Sequence, residues 1–554
     1  MKKFIKNLFL LAELSVGLGT MQDRLATAQT FTTTFTILHS FTGGSDGAEP
    51  FAGLILSGNT FYGTTYSGGG SNCGTVFAVN TNGSMFTVLH TFTGGSNGAG
   101  PLAGLILSGN TLYGTASRGG SWGYGTVFAV NTNGTSFTNV HSFDGFGEGA
   151  FPWAGLILSS NTLYGTVPFS GTGNEGTVFA VNTNGTGFTT LHSFSADALR
   201  GAPTAGLILV GNILYGTTES NVGANSGTVF AINTNGTGFT TLHSFNGSDG
   251  AYPLFARLVL LGSTLYGTAE RGGSWGNGTV FALNTDGTGF TVLHSFSAGG
   301  GGHLPFINSD GGWPTSDLIL SGTTLYGTAT SGGSLGNGTV FSVKTDGTDF
   351  KTLYNFTGGT NGGGPNAGLI ISGNTLYGTS QLGGSWSQGM LFSLALTPVS
   401  APQISSQPLS RTNIAGSTAT FSVLATGTAP LSYQWLKATN AIAQQRGSTL
   451  TLTNVSSADA ASYSVIVSNA GGSVTSAPAI LTVIARPKLT LTASTAHAVL
   501  TWSTSAGGFT LESTTNLRSS AIWTTVSPVP VIVNGQNVVT NPISGKQEFF
   551  RLSQ

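Results

Sequence analysis

The hydrophobic pattern of the first two thirds of the chain repeats seven times. Short apolar runs, such as Leu105–Leu107 and Val127–Val130, alternate with segments rich in glycine, asparagine and threonine, and such runs predict β-strands rather than helices. The tyrosine of a Leu-Tyr-Gly-Thr segment recurs every 51 residues, with one interval of 60. These tyrosines are Tyr62, Tyr113, Tyr164, Tyr215, Tyr266, Tyr326 and Tyr377. A period near 50 residues indicates a tandem-repeat architecture.

Each repeat predicts four antiparallel strands. In the second repeat they are expected at Gly104–Ser108, Thr111–Ala116, Thr126–Asn131 and Phe137–Phe143. Gly109-Asn110 and Asn133-Gly134 are suited to tight hairpin turns, because these residues tolerate positive φ. The strands are apolar on both faces, which fits a sheet that is stacked between two neighbouring sheets. Four strands per repeat and seven repeats predict a seven-bladed β-propeller over residues 29–397.

The two ends of the repeat region are complementary. The seventh repeat stops after its third strand, at Phe392–Leu396, and a strand like the missing fourth one stands at Phe35–Phe41. We therefore expect the N-terminal strand to complete the last blade and close the ring.

The consensus of the repeats also points to a known family. The segment AGLILSGNTLYGTASRGGSWGYGTVFAVNTNGT resembles the GloVer repeat of secreted bacterial proteins, and the resemblance extends over residues 31–397. It implies export and a propeller-like array, and it implies no particular chemistry.

Two smaller β modules are expected after a linker that begins at Thr397. Residues 402–484 resemble an immunoglobulin-like domain, with Trp435 as the core tryptophan and Tyr463 in a tyrosine corner. Val423 and Val465 stand where such domains carry paired cysteines. Residues 486–554 resemble a fibronectin type III-like module. The predicted fold class is all-β, a seven-bladed β-propeller followed by an immunoglobulin-like β-sandwich and a small C-terminal β-sandwich.

The N-terminus predicts a signal peptide over residues 1–28. Lys2, Lys3 and Lys6 precede an apolar stretch, and Ala26-Thr27-Ala28 fits a cleavage site. The alternative is an amphipathic or lipid-facing N-terminal helix. No other stretch is long and apolar enough to be a transmembrane segment. We expect a secreted or cell-surface protein.

Charge and cysteine content exclude several classes of protein. The chain has 18 Lys and Arg, 19 Asp and Glu and a net charge of −1, without the basic clusters that nucleic acid binding requires. Cys73 is the single cysteine, so no disulfide can form within the chain. We expect a monomer without a cofactor.

The glycine-rich loops carry the candidate ligand-binding residues. Tryptophan and arginine on loops of a rigid scaffold are typical of recognition surfaces. The candidates are Arg118, Trp122, Tyr124, Arg271, Trp275 and Trp386. The alternative is that each tryptophan packs on its own loop.

Other recurring polar residues are expected to be structural. Six histidines recur at intervals of 51 residues, one per repeat, too far apart for a shared metal site. They are His39, His90, His141, His192, His243 and His294, and we expect them to bond backbone or a neighbouring blade. Asp or Asn recurs in the links between repeats, where turns are a better explanation than calcium. We expect no metal site.

Catalysis is not expected, because the carboxylates are scattered and no nucleophile motif is present. These carboxylates are Glu148, Glu175, Asp197, Glu219 and Glu270. The leading hypothesis is a secreted binding or adhesion protein whose loop face takes a polysaccharide or another surface protein. One alternative is a structural matrix protein without a specific ligand. Another is a polysaccharide lyase or glycoside hydrolase of the propeller type.

Overall fold

The computed structural model describes residues 31–195, 201–219, 226–299, 307–544 and 547–554. The predicted signal peptide and Asp197 lie outside these residues. The chain divides into two compact units, one of which is Thr32–Thr397, while Pro398–Gln554 belongs to the other. The described residues form β-strands and two short 3-10 turns, Gly359–Asn361 and Ser457–Asp459, and contain no α-helix. The fold class is therefore all-β, as predicted.

The first unit contains 28 strands in the residues that the structure describes. They are β1 Phe31–Ser40, β2 Ile55–Ser57, β3 Thr60–Thr65, β4 Thr75–Asn80, β5 Thr87–Thr91, β6 Ile106–Ser108, β7 Thr111–Ala116, β8 Thr126–Asn131, β9 Thr138–Ser142, β10 Ile157–Ser159, β11 Thr162–Val167, β12 Asn174–Asn182, β13 Thr189–Ser195, β14 Ile208–Val210, β15 Ile213–Thr218, β16 Thr228–Asn233, β17 Thr240–Ser244, β18 Val259–Leu261, β19 Thr264–Ala269, β20 Thr279–Asn284, β21 Thr291–Ser295, β22 Ile319–Ser321, β23 Thr324–Ala329, β24 Thr339–Lys344, β25 Lys351–Asn355, β26 Ile370–Ser372, β27 Thr375–Ser380 and β28 Met390–Pro398.

These strands form seven four-stranded sheets within the described part of the unit. Sheets 1 to 6 are β2–β5, β6–β9, β10–β13, β14–β17, β18–β21 and β22–β25, each an antiparallel meander in chain order. Sheet 7 has the order β1-β28-β27-β26, so the N-terminal strand does complete the last repeat, as predicted. The first strand of each repeat is shorter than predicted: β6 begins at Ile106, not at Gly104.

Consecutive sheets are joined by two series of contacts that are equivalent from repeat to repeat. In the first, a buried threonine hydroxyl donates to a carbonyl at the start of the next repeat: Thr115 Oγ1 to Ala154 O at 3.0 Å, for example. In sheet 7 the donor is Thr379, and its acceptor is Ala52 O, before sheet 1, at 3.0 Å. In the second, a histidine stacks on a phenylalanine of the next repeat, as His90 does on Phe137 at 3.6 Å.

The stacking series also returns to its start. Tyr354 of sheet 6 replaces histidine and stacks on Phe35 of sheet 7 at 4.2 Å. His39 of sheet 7 stacks on Phe86 of sheet 1 at 4.0 Å. Buried phenylalanines such as Phe77 and Phe128, both fully buried, fill the space between neighbouring sheets.

The second unit contains 17 strands in its described residues. They are β29 Gln403–Ser406, β30 Arg411–Ile414, β31 Ala419–Ser422, β32 Leu424–Thr426, β33 Ser432–Lys437, β34 Asn440–Ala441, β35 Thr449–Leu452, β36 Ala461–Asn469, β37 Gly472–Thr475, β38 Ala479–Ile484, β39 Thr490–Ala493, β40 His497–Ser503, β41 Thr510–Thr514, β42 Thr524–Thr525, β43 Val531–Val533, β44 Gln536–Pro542 and β45 Phe549–Ser553.

The immunoglobulin-like part has the core that its sequence indicates. Trp435 is fully buried and donates its indole N–H to Gly447 O at 2.9 Å. Tyr463 donates its hydroxyl to Asp459 O at 2.8 Å, which is the predicted tyrosine corner. Val423 and Val465 lie in the same buried cluster and take the space of a disulfide. The last residues form two small sheets, β39-β40-β44-β43 and β42-β41-β45, around Leu500 and Trp502.

Candidate functional site

One cavity of about 690 Å³ is lined by residues from all seven repeats of the first unit. The residues come from the links that lead into the first strand of each sheet and from the loops that follow the second strand. In an antiparallel meander these two connections lie at the same end of the sheet. The size is within the range of small-molecule and cofactor sites in proteins. We call this space the common cavity.

Aromatic side chains form one side of the common cavity. Trp153 contacts Phe169 edge to face at 4.8 Å, and it lies 5.9 Å from Phe255. Phe51 contacts Tyr66 edge to face at 5.6 Å. Phe169 and Phe255 remain 37% and 45% exposed, although apolar rings of this size are usually buried. The aromatic wall therefore offers apolar surface that the protein itself does not cover.

Phe151, which belongs to the same wall, has an unusual backbone conformation. Its φ is 58°, in the left-handed region, whereas Gly100 and Gly364 occupy the equivalent position of repeats 2 and 7 with φ of 62°. A bulky residue there costs about 1 kcal/mol or more. Glu49, Tyr252 and Trp313, which also stand directly before the proline of their repeats, have the same left-handed φ, so the conformation belongs to the repeat and not to Phe151 alone.

The two predicted arginines have different surroundings. Arg118 lines the common cavity, and its guanidinium lies over the Tyr66 ring at 5.8 Å. No carboxylate of the described residues lies within ion-pair distance of it. Arg271 instead pairs with Glu270 at 3.2 Å and lies over the Trp313 ring at 5.3 Å. The structure therefore places Arg118, but not Arg271, at the cavity.

The predicted tryptophans lie at the tips of their loops. Trp122, Trp275 and Trp386 are 67%, 62% and 63% exposed. None of them lines the common cavity. Tyr124 is half-buried and packs edge to face on Phe151 of the aromatic wall at 5.8 Å. Of the six predicted residues, Arg118 is therefore the one that lines the common cavity.

A second series of equivalent residues lines the cavity, and we call it the inner position. It consists of Gly53, Gly104, Gly155, Gly206, Arg257, Asp317 and Gly368. The backbones at the glycines nearly touch: a Cβ added to Gly104 would lie 3.2 Å from Gly53 O, and one added to Gly53 would lie 3.4 Å from Gly368 O. A side chain at Gly104 would therefore be tighter against its neighbour than most Cβ contacts, whereas one at Gly53 would make an ordinary van der Waals contact.

Arg257 and Asp317 replace glycine in two consecutive repeats and contact each other. Asp317 Oδ1 accepts the backbone N–H of Arg257 at 2.6 Å, and Oδ2 lies 3.7 Å from Arg257 Nε. The side chains are 45% and 36% exposed, within the cavity that they line. Protein nevertheless surrounds the carboxylate, and this desolvation raises the pKa of Asp317, against the opposing effect of Arg257.

Three glutamates, Glu175, Glu219 and Glu270, belong to sheets 3, 4 and 5 or to the loops beside their strands. Burial and the charges of Glu175 and Glu270 raise the pKa of Glu219 to about 7. Burial also raises the pKa of Glu270, although Arg271 opposes this rise. Glu175, Glu219 and Glu270 are scattered along the sequence, but in the folded protein they lie close enough for their charges to repel one another.

The histidine series has a local partner that sequence reasoning missed. His39, His141, His243 and His294 each pair through Nε2 with a carboxylate of the link that follows, at 2.9–3.2 Å. In the second of these pairs the acid is Glu148. The sequence predicts a turn in each of these links. The histidine pairs with the carboxylate of the link and stacks on a phenylalanine of the next repeat, so both the recurring histidine and the recurring acidic residue have a structural role.

The residues of the common cavity carried only a weak sequence signal. Phe51, Trp153 and Phe255 stand two residues before the inner position, where other repeats have Leu, Thr or Asn. These residues could have been identified by aligning the seven repeats and noting the positions at which a single repeat departs from the consensus. Arg257 and Asp317 interrupt the Ala-Gly-Leu segment in the same way.

Comparison with protein families identifies the repeats. The profile of the Gloeobacter/Verrucomicrobia repeat matches residues 24–225, 198–308 and 303–404, which together exceed half of the chain. The chain belongs to this family. The immunoglobulin domain profile matches residues 401–469, within the predicted module. No curated protein matches the chain.

Two of the solved structures that resemble the chain match only a small part of it. A chimeric titin Z1Z2 carrying a peptide from decorin is 26% identical and covers 16% of this chain and 98% of its own, with a TM-score of 0.14. Titin domain M7 is 28% identical and covers 16% and 96%, with a TM-score of 0.15. No helix among the described residues is long and apolar enough to cross a membrane.

Proposed function

We propose that residues 29–397 form a seven-bladed β-propeller whose common cavity, on its axis, binds a carbohydrate. The closed order of the sheet contacts supports the ring, because the hydroxyl of Thr379 and the ring of His39 make between sheets 7 and 1 the same contacts that join the other sheets. The presence of all seven repeats in one cavity wall supports it independently.

The proposed ring has a direct test in matched variants. Thr115→Val removes a hydrogen bond between sheets 2 and 3, and Thr379→Val removes its equivalent between sheets 7 and 1. In a closed ring each should lower the free energy of unfolding by about 1 kcal/mol. If only Thr115→Val destabilises the protein, the array is open and the proposal of a ring fails.

The aromatic wall carries the proposal of a carbohydrate ligand. Sugar rings present apolar C–H faces that stack on exposed aromatic rings, and Trp153 and Phe255 are available for this contact. Polar groups beside the wall can bind hydroxyls, because Asn366, Thr315, Arg118 and the Arg257–Asp317 pair line the same cavity. A mostly apolar cavity with a few polar groups is the usual composition of a ligand site.

The test is a glycan array followed by calorimetry with the best oligosaccharide. Trp153→Ala should weaken binding about tenfold, because it removes the largest ring of the wall. Trp502→Ala is not a useful control, since Trp502 is a core residue; Trp523→Ala in the last module is the matched control. The absence of binding to any glycan, or binding that Trp153→Ala leaves unchanged, would overturn the carbohydrate assignment.

The loop tryptophans support a second contact region for longer ligands. Trp122, Trp275 and Trp386 expose most of their indole surface, which is unusual for tryptophan. We propose that they contact a polysaccharide or another surface protein outside the cavity. The two C-terminal modules, one immunoglobulin-like and one proposed to be fibronectin type III-like, then act as a spacer or an attachment in a secreted or surface protein.

A further inference from the structure

We propose that the Arg257–Asp317 pair is the recognition element of the common cavity and that it binds two adjacent hydroxyls at the end of a sugar chain. This inference rests on the proposed carbohydrate function. It is drawn from the inner position, where five repeats have glycine and only these two have longer side chains.

The first argument is the incomplete bonding of Arg257. Its backbone N–H is satisfied by Asp317 Oδ1, but the side-chain Nε lies 3.7 Å from Oδ2, beyond hydrogen-bond distance. Among the described residues, no other acceptor bonds the guanidinium. An arginine has five N–H donors, and the side chain of Arg257 is 45% exposed within the cavity. The side chain is therefore in a position to donate to a ligand in the cavity.

The second argument is the combination of donor and acceptor. Asp317 offers carboxylate oxygens, and Arg257 offers N–H groups a few ångströms away, both on the wall of the cavity. Each hydroxyl of a sugar both donates and accepts, so two neighbouring hydroxyls match such a pair. Hydrogen bonds to charged groups are stronger than those between neutral groups, which favours this pair over Asn366 or Thr315 as the main polar contact.

The third argument concerns chain ends. At the glycines neighbouring repeats pack closely, since a Cβ added to Gly104 would lie 3.2 Å from Gly53 O and one added to Gly53 would lie 3.4 Å from Gly368 O. The side chains of Arg257 and Asp317 are longer than the glycines of the other five repeats, and both line the cavity. A polymer that passed along the cavity would have to displace the pair, whereas a terminal sugar can rest against it. The geometry therefore favours recognition of chain ends.

The alternative is a purely structural pair that joins sheets 5 and 6. The double variant Arg257→Gly/Asp317→Gly separates the two roles, because it gives both repeats the residue that the other five already have. We expect it to fold with little change in thermal midpoint and to bind oligosaccharides about 10- to 100-fold more weakly. Asp317→Asn, which keeps the shape of the side chain, provides the same test if the double variant does not fold.

The probes are neutral hexasaccharides of glucose, xylose and mannose and their linear polymers, measured by calorimetry at equal mass. Recognition of ends predicts that binding capacity follows the number of chain ends, so that it falls as chain length rises. The proposal is overturned if the binding capacity per unit mass of saccharide does not depend on the length of the saccharide chain. The proposal is also overturned if the double variant keeps the native affinity while Trp153→Ala weakens binding. In that case the carbohydrate function is retained and the role of the Arg257–Asp317 pair is rejected. If the native protein binds no saccharide, both proposals fall.

Discussion

The second and fifth repeats carry nearly the same loop, and the structure gives the two loops different roles. Both contain Arg-Gly-Gly-Ser-Trp-Gly, from Arg118 and from Arg271. The residue before the arginine differs: Ser117 bonds Gly100 O at 2.8 Å, whereas Glu270 pairs with Arg271. A single neighbouring residue thus leaves one guanidinium available to the cavity and neutralises the other. Equivalent positions in a repeat protein share their backbone but not their chemistry.

Replacement of each arginine by alanine should show most clearly that the two loops differ in their contribution to binding. Arg118→Ala is expected to weaken binding of an oligosaccharide of galacturonic acid about tenfold, because a charge-assisted hydrogen bond is lost. Arg271→Ala should change the affinity less than about twofold, since Arg271 is already paired. Calorimetry at low and at moderate salt measures both. Equal losses in the two variants would contradict the distinction between the loops.

Giving the loop of the second repeat the glutamate of the fifth should lower the affinity less than the removal of Arg118 does. Ser117→Glu is expected to pair with Arg118 and to weaken binding of the same acidic oligosaccharide by about 1 kcal/mol, less so at high salt. The reciprocal variant Glu270→Ser should leave binding unchanged. A Ser117→Glu variant with native affinity, in a protein that retains its fold by circular dichroism, would show that Arg118 does not act through its charge.

The acidic surroundings of the fifth loop should be visible in the pH dependence of stability. The pKa of Glu219 is raised to about 7, above its ordinary value of 4.5, by burial and by Glu175 and Glu270. Between pH 4.5 and about 7 the folded state therefore holds a proton that the unfolded state has released, so the contribution of Glu219 to stability is greatest below pH 4.5, falls over this range and is constant above it. Glu219→Gln should remove this loss and gain about 1 kcal/mol at pH 8, allowing for partial exposure.

Thermal unfolding at pH 5 and at pH 8 measures this effect. Glu548→Gln, at an exposed position of the last module, is the control and should change neither value. A Glu219→Gln variant that is stabilised equally at both pH values would mean that the carboxylate does not titrate as described.

The loop tryptophans should show the smallest effect on the fold. Trp122→Ala and Trp275→Ala are expected to change the free energy of unfolding by less than about 0.5 kcal/mol, because both indoles are mostly exposed. The triple variant with Trp386→Ala should weaken binding of a polysaccharide but not of a short oligosaccharide that fits the cavity. Weaker binding of both ligands would place the tryptophans in the main site.

The repeat count, the all-β class and the N-terminal strand in the last sheet follow from the sequence alone. The hydrophobic pattern of a strand is a local property of the sequence. Tight turns and glycines determine where each strand ends, including strands that are apolar on both faces, such as Thr126–Asn131. The sequence also indicated the immunoglobulin-like core, because Trp435 and Tyr463 stand in a spacing that few other folds use.

The site was decided by tertiary structure. The alignment of Arg118 with Arg271 is a property of the sequence, but their different partners depend on which links and loops meet in space. Trp153, Arg257 and Asp317 are far apart in the chain and come together only because all seven repeats line one cavity. Local patterns determine strands and turns, whereas a site between repeats depends on contacts over hundreds of residues, and those contacts leave no periodic signal.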